Sequence, residues 1–236
     1  MWCGFRPNDG EYKVMGLAPY GRARFLDALE EVLHVHEGGG FEIDAKRVGW
    51  WSSPPHRMKS LVASLDGPPR AEGEPLTQRE ADLAASVQQL TQRVMLGLAR
   101  RTVRLSGESR LTLAGGVALN CVANGEIEAL DEVDELWIQP AAGDAGSALG
   151  AALWWSNLHL EPHSDRKSGV DAMRGAALGP RFDGDEIARF LDEQSIPFRR
   201  VTSARARLEE TTQRLNEGKI VGWFQGRMEF GPRALG

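Results

Sequence analysis

Two short segments carry the side chains best suited to chemistry: Leu111-Thr-Leu-Ala-Gly-Gly-Val-Ala-Leu-Asn120 and Trp137-Ile-Gln-Pro-Ala-Ala-Gly-Asp-Ala-Gly146. Each is a short apolar run ending in a glycine-bearing turn, the pattern of a buried strand handing the chain to a tight bend. Gly115 and Gly116 lack a Cβ, so a ligand or another backbone can approach them closely. A helix starting there presents unpaired N–H groups, which suit an anion such as phosphate. The amide of Asn120 can bond a ribose hydroxyl or a base edge, or it can cap its helix. The carboxylate of Asp144 can cap the following helix or ligate a hard cation. Gly143 and Gly146 around it give more clearance than a plain cap requires.

A third segment is Gly226 to Gly236, where Arg227, Glu229 and Arg233 surround Gly231 and Pro232. Two arginines on a rigid Gly-Pro turn can clamp phosphates or a carboxylate; the same residues also suit a surface turn with ion pairs. His159 and His163 have the i, i+4 spacing of a metal pair, but Pro162 between them prevents a regular helix, so they read as linker. His34, His36 and His56 have no partner at ligand spacing. Trp50-Trp51 and Trp154-Trp155 read as core and interface payload.

The elements that must position these residues follow from periodicity. Phe25, Leu26, Leu29, Val32 and Leu33 predict a helix over 22–35, ended by Gly38-Gly-Gly40. Residues 41–48 alternate and predict a strand, and 50–77, rich in Pro and Gly, predict a surface excursion. Leu83, Val87, Leu90, Val94 and Leu98 predict a long helix over 79–103, with arginines at its carboxyl end. Strands at 111–114 and 135–138 alternate with helices at 119–130 and 147–158, an order that implies a parallel or mixed sheet covered by helices. Beyond the linker, helices are expected at 185–194 and from Ser203, and strands at 197–201 and 219–225.

With 236 residues and 42% apolar content the chain can build a core. A net charge of -5 disfavours a nucleic-acid partner. No apolar stretch approaches membrane-spanning length, the first residues lack the pattern of a signal peptide, and two cysteines make no disulfide framework. A cytoplasmic protein is the expectation. Both termini fall close to motif-dense sequence, which predicts a piece of a longer chain.

Four stretches together resemble the O-carbamoyltransferases of nodulation-factor and antibiotic tailoring: Glu11 to Gly21, Leu113 to Asn120, Pro140 to Gly150, and Gly218 to Gly236. The resemblance implies an α/β architecture. An actin/Hsp70-like (ribonuclease H-like) nucleotide-binding domain would span 1–158 and a linker 159–182. The start of a carbamoyl-adenylate-forming domain would span 183–236, both domains being incomplete. It implies ATP and carbamoyl phosphate as reactants and carbamoyl-adenylate as intermediate. It further implies a small-molecule hydroxyl as acceptor and a divalent metal, iron or a similar ion, held by two histidines and an aspartate. Carried over by position, Asp144 matches the metal-ligand aspartate and Asn120 the nucleotide-contacting asparagine. Gly115, Gly116, Gly143 and Gly146 match the turns around the nucleotide, and Lys13 and Gly21 the segment on its ribose side. Arg227 and Arg233 fall in the opening motif of the second module and are the catalytic candidates.

The part that would carry the two metal-ligand histidines has no counterpart here. A cation on Asp144 alone would be weakly held, and the chain by itself is expected to be inactive. Two other readings stay open: an ATP-dependent phosphotransferase of the sugar or acetate kinase type, and a nucleotide-binding module without catalysis. A tRNA-modifying role is disfavoured by the acidic charge.

Overall fold

The computed structural model describes residues 2–6, 10–44, 59–160 and 173–234. Two compact units divide the chain, residues 1–138 and 139–236. No helix among the described residues is long and apolar enough to cross a membrane.

The first unit runs α1 (Glu11–Leu17), a 3-10 turn (Ala18–Tyr20), α2 (Leu26–Glu30), β1 (Leu33–Val35) and β2 (Phe41–Ile43). It continues with α3 (Lys59–Ser64), α4 (Gln78–Ser106), β3 (Arg110–Leu113), a second 3-10 turn (Gly116–Leu119), α5 (Cys121–Glu128) and β4 (Glu135–Ile138). The organising element is α4. At its start the Glu80 carboxylate accepts hydrogen bonds from the Thr77 N–H (3.0 Å) and hydroxyl (2.5 Å). At its end Gly107 adopts the left-handed conformation and its N–H returns to the Val103 carbonyl. Burial would push the Glu80 carboxyl up, but the Thr77 bonds outweigh it and the net shift is downward.

Two clusters pack on α4. Cys3, Phe25, Leu65 and Leu83 form one; Met95, Ala99, Leu111, Ala123, Ile127 and Val133 form the other. One long helix therefore serves both cores, one toward each end. The second core exists because β3, α5 and β4 form a parallel unit, with Arg110 opposite Glu135 and Leu113 opposite Ile138. This is the pairing that the alternation of strands and helices predicts.

The predicted helix over 22–35 is wrong in its second half. Leu33–Val35 leaves the helix and pairs antiparallel with Phe41–Ile43 across the glycine turn. The strand partner outweighs the local period. Residues 45–58, with Trp50, Trp51 and His56, and 161–172, with His163, lie outside the described residues.

Asp82 pins the first turn region to α4. Its buried carboxylate accepts from the Arg22 N–H (2.9 Å), Arg24 Nε (2.8 Å) and Gln78 Nε2 (2.9 Å). These bonds, with Gln78 the largest contributor and the Arg22 N–H next, hold the carboxyl below its usual range. A depressed folded value means the stabilisation is present above the unfolded carboxylate range and is lost as pH falls through the folded value. Asp82→Asn should therefore lower stability at neutral pH, and its urea midpoints should converge with those of the parent chain in acid. Parallel curves at every pH would contradict this linkage.

The second unit holds α6 (Asp144–His159), α7 (Gly184–Glu193) and α8 (Ala204–Asn216). Asp183 caps α7 by accepting from the N–H groups of Asp185 and Glu186, and Ser203 caps α8 by accepting from Ala206. None of the three helices buries a residue. The buried apolar residues described in this unit are Ala141, Ala142 and Ala176, while Trp154 is 66% exposed. The strands predicted at 197–201 and 219–225 are absent: both segments run without ladder partners among the described residues. A strand needs a neighbour, and an apolar run alone does not supply one.

Candidate functional site

β3 and β4 run parallel and in register, so both end at the same sheet edge. Past Leu113 the chain enters Gly115 at φ 101° and ψ 162°, a region essentially closed to residues with a Cβ. Backbone geometry therefore dictates glycine at 115. Gly116 differs: a Cβ there would meet no atom within 4 Å. Nothing in the described fold calls for that glycine, and open space stands beside it.

Asn120 takes the capping role. Its Oδ1 accepts from the Ala123 N–H (3.2 Å), and the side chain is only 9% exposed. It also forms a reciprocal amide pair with Gln88: Gln88 Nε2 donates to Asn120 Oδ1 (3.0 Å), and Asn120 Nδ2 donates to Gln88 Oε1 (2.9 Å). Both acceptor positions are thus used, and one N–H of the amide is left for anything else. Sequence reasoning missed Gln88, although a glutamine beside an apolar stripe was a signal of a buried polar contact. It also missed Asn124, whose Nδ2 donates to the Ala118 carbonyl (2.8 Å) while its buried Oδ1 has no hydrogen-bond partner among the described residues. An orphaned buried acceptor calls for a reason.

Gly21 is explained by packing. A Cβ there would stand 1.9 Å from the Ala81 carbonyl oxygen, so only glycine lets the segment lie on α4. Ala81 and Gln88 are seven residues apart, two turns along one face of α4 and roughly 10 Å in rise. The Lys13–Gly21 segment and the Gly115–Asn120 turn are thereby brought to the same side of the helix. Lys13 itself is exposed on α1, its ammonium 5.5 Å from the Tyr12 ring centre.

In the second unit Gly143 is the N-cap of α6 and Asp144 its first residue. The Asp144 side chain is exposed and makes no capping bond, so the capping alternative for it falls away. Its charge sits at the favourable end of the helix dipole. Gly146 has a fold role, since a Cβ would stand 2.1 Å from the Ala141 carbonyl oxygen. Gly231, at φ 132°, lies against Pro140: a Cβ there would stand 2.8 Å from the Pro140 carbonyl oxygen. The Gly-Pro-Arg turn thus packs on the loop that leads into Asp144. Arg227 donates to the Gly179 carbonyl (2.9 Å) and ties its turn to the 179–181 segment, while Arg233 is exposed.

Among the described residues no three His, Cys, Asp or Glu side chains are grouped to hold a metal ion. His159 instead packs its ring 5.1 Å from that of Trp155. Asp144 is one possible ligand without companions, so these residues do not make a metal centre by themselves. Cys3, buried and with its thiol pushed up chiefly by burial, is no nucleophile.

Comparison with known families and proteins adds independent findings. The family described as carbamoyltransferase N-terminus matches residues 1–153, and that described as carbamoyltransferase C-terminus matches 212–236. An uncharacterized protein of Synechocystis is 43% identical over all of this chain, which covers 38% of that protein. Nodulation protein NolNO of Sinorhizobium fredii is 38% identical over 96% of the chain, which covers 31% of it. The 3'-hydroxymethylcephem-O-carbamoyltransferase of Streptomyces clavuligerus is 28% identical over 98% of the chain, which covers 38% of it. The chain thus spans less than two fifths of the length of these three curated relatives.

Proposed function

Since the chain belongs to the carbamoyltransferase family, we propose that it contributes the nucleotide-binding part of an enzyme that carbamoylates a hydroxyl of a small molecule. The proposed fold is of the actin/Hsp70 type, which the parallel β3–α5–β4 unit is consistent with. The proposed donors are carbamoyl phosphate and ATP. In balance, water releases phosphate from carbamoyl phosphate, and the resulting carbamate oxygen attacks the α-phosphorus of ATP as pyrophosphate leaves. The acceptor hydroxyl then attacks the carbonyl carbon of carbamoyl-adenylate, AMP leaves, and the hydroxyl proton passes to a base.

One observation carries the assignment of this chain's residues: the clearance at Gly116, which the fold does not use. A phosphate brought to that turn meets the amino end of α5, where N–H groups favour negative charge. Gln88 acts as a positioning residue, locking the Asn120 amide so that its remaining N–H has one direction. Lys13 stands in this reading as a further nucleotide contact of residues 1–138; Asp144, Arg227 and Arg233, in residues 139–236, are candidates of their own for contacts to the reactants. The hydroxyl acceptor is supported by the relative named for action on a hydroxymethylcephem.

The test uses the longer protein with ATP, carbamoyl phosphate and a panel of hydroxylated acceptors. Pyrophosphate and AMP are the expected products; ADP in their place would establish a phosphotransferase and end this reading. Gly116→Ala should leave the thermal midpoint unchanged and weaken ATP binding about ten-fold, a loss of about 1.4 kcal/mol. Unchanged affinity would remove the nucleotide from this turn.

A further inference from the structure

A cavity of residues 1–138 lies along the carboxyl-terminal half of α4. The turn His36-Glu-Gly-Gly-Gly40 between β1 and β2 folds directly onto the helix, because Gly39 (φ 80°) and Gly97 let the two backbones touch. A Cβ on Gly39 would stand 2.1 Å from the Gly97 carbonyl oxygen. Beside this contact is a cleft of about 530 Å³, lined from α4 by Arg93, Arg100 and Arg104 and from the hairpin by His34 and His36. The three arginines fall on one helical stripe.

Their charges are not balanced evenly. Arg93 pairs with Glu30, and Arg100 pairs with Glu132 at 3.2 Å. Arg104 donates to the Gly38 carbonyl (2.8 Å), and the Arg101 Nη1 lies 3.2 Å from where a Cβ on Gly40 would stand. Among the described residues neither Arg101 nor Arg104 has a carboxylate at ion-pair distance. Glu37 also lines the cleft, and Glu42 stands 4.0 Å from His36. The dipole of α4 accounts for basic residues in its last turns. It does not account for two guanidinium groups converging on one glycine turn beside an open cleft.

We propose that this cleft, together with the glycine turn at its rim, binds a compact, multiply charged oxyanion of a small molecule, held by Arg104, which lines the cleft, and by Arg101, whose guanidinium lies against the same turn outside the cleft lining, with His36 at its side. Guanidinium forks match the planar spacing of phosphoryl and carboxylate oxygens, and within the turn a Cβ on Gly38 would meet no atom within 4 Å. Arg104 lies sixteen residues beyond Gln88, roughly 24 Å along the helix. The site is therefore separate from the Gly115–Asn120 turn, and it stands independently of the carbamoyl-transfer reading.

The test is calorimetric titration of the 236-residue chain with inorganic phosphate and with citrate, at low salt. One-to-one binding of either is expected, and the tighter of the two identifies the ligand as phosphoryl or polycarboxylate. The variant R101Q/R104Q should bind at least about ten-fold more weakly with an unchanged circular dichroism spectrum, since charge-assisted bonds are lost from an exposed surface. Should the double variant lose its thermal transition, Arg104→Gln alone serves, with a loss of about three-fold expected. Gly116→Ala must leave the binding intact. Equal affinity of variant and parent chain, no heat with either anion at millimolar concentration, or tighter binding to a single-stranded oligonucleotide would each overturn the proposal.

Discussion

Truncating Ile127 to alanine will destabilise residues 1–138 by about 3 kcal/mol, within the range of 2–5 kcal/mol found for such core deletions. Ile127 is fully buried at 0% exposure and belongs to the cluster of Met95, Ala99, Leu111, Ala123 and Val133. Its neighbours come from α4, β3, α5 and the loop before β4, so no single element can shift to fill the space. Collapse would have to move a helix against a sheet, and packed interiors resist that. The measurement is urea unfolding followed by far-ultraviolet circular dichroism, with Leu105→Ala as control. Leu105 is 73% exposed, and its truncation should change stability by less than about 0.5 kcal/mol. A loss below about 1 kcal/mol for Ile127→Ala would mean that this core is not packed as described.

In the isolated 236-residue chain, backbone amides in the middle of α4 are expected to exchange with solvent at least about a thousand-fold more slowly than those of α7 and α8. Exchange from a core helix requires the larger opening, because α4 carries two clusters and must break both. α7 and α8 bury no residue and keep Phe190, Leu208 and Leu215 more than half exposed. Their caps each contribute about 1 kcal/mol, too little to hold a helix of their length by itself in water. Mass spectrometry of exchange at the peptide level gives the answer. Protection in 184–216 equal to that in α4 would show that these helices are covered in solution.

What could be read from the amino-acid order was what depends on near neighbours. The stripe from Leu83 to Leu98 marks α4, the serine at 203 marks the start of α8, and two apolar runs before glycine turns mark β3 and β4. What could not be read depends on partners distant in the chain. Leu33–Val35 continues a helical period and yet pairs with Phe41–Ile43. Residues 219–225 look like a strand and have no ladder partner among the described residues. The candidate site shows the same division. Gly115 and Gly116 stand out together in the sequence, but only the backbone angle at one and the empty space at the other tell apart a fold requirement from a vacant approach. Gly21 and Gly146 drew attention as ligand turns, and the contacts they make with carbonyl oxygens give each a packing role. Gln88 escaped notice because its partner is thirty-two residues away.

The Gln88–Asn120 pair has a consequence for how the turn behaves in the cell. Neither amide gains or loses a proton under physiological conditions. Acidification or alkalinisation therefore leaves the orientation of that side chain untouched, and salt does little to a contact between uncharged partners shut away from counter-ions. Under the proposed function, any acid or alkaline limb in the rate profile of the longer protein would therefore arise from its reactants or from ionisable groups elsewhere.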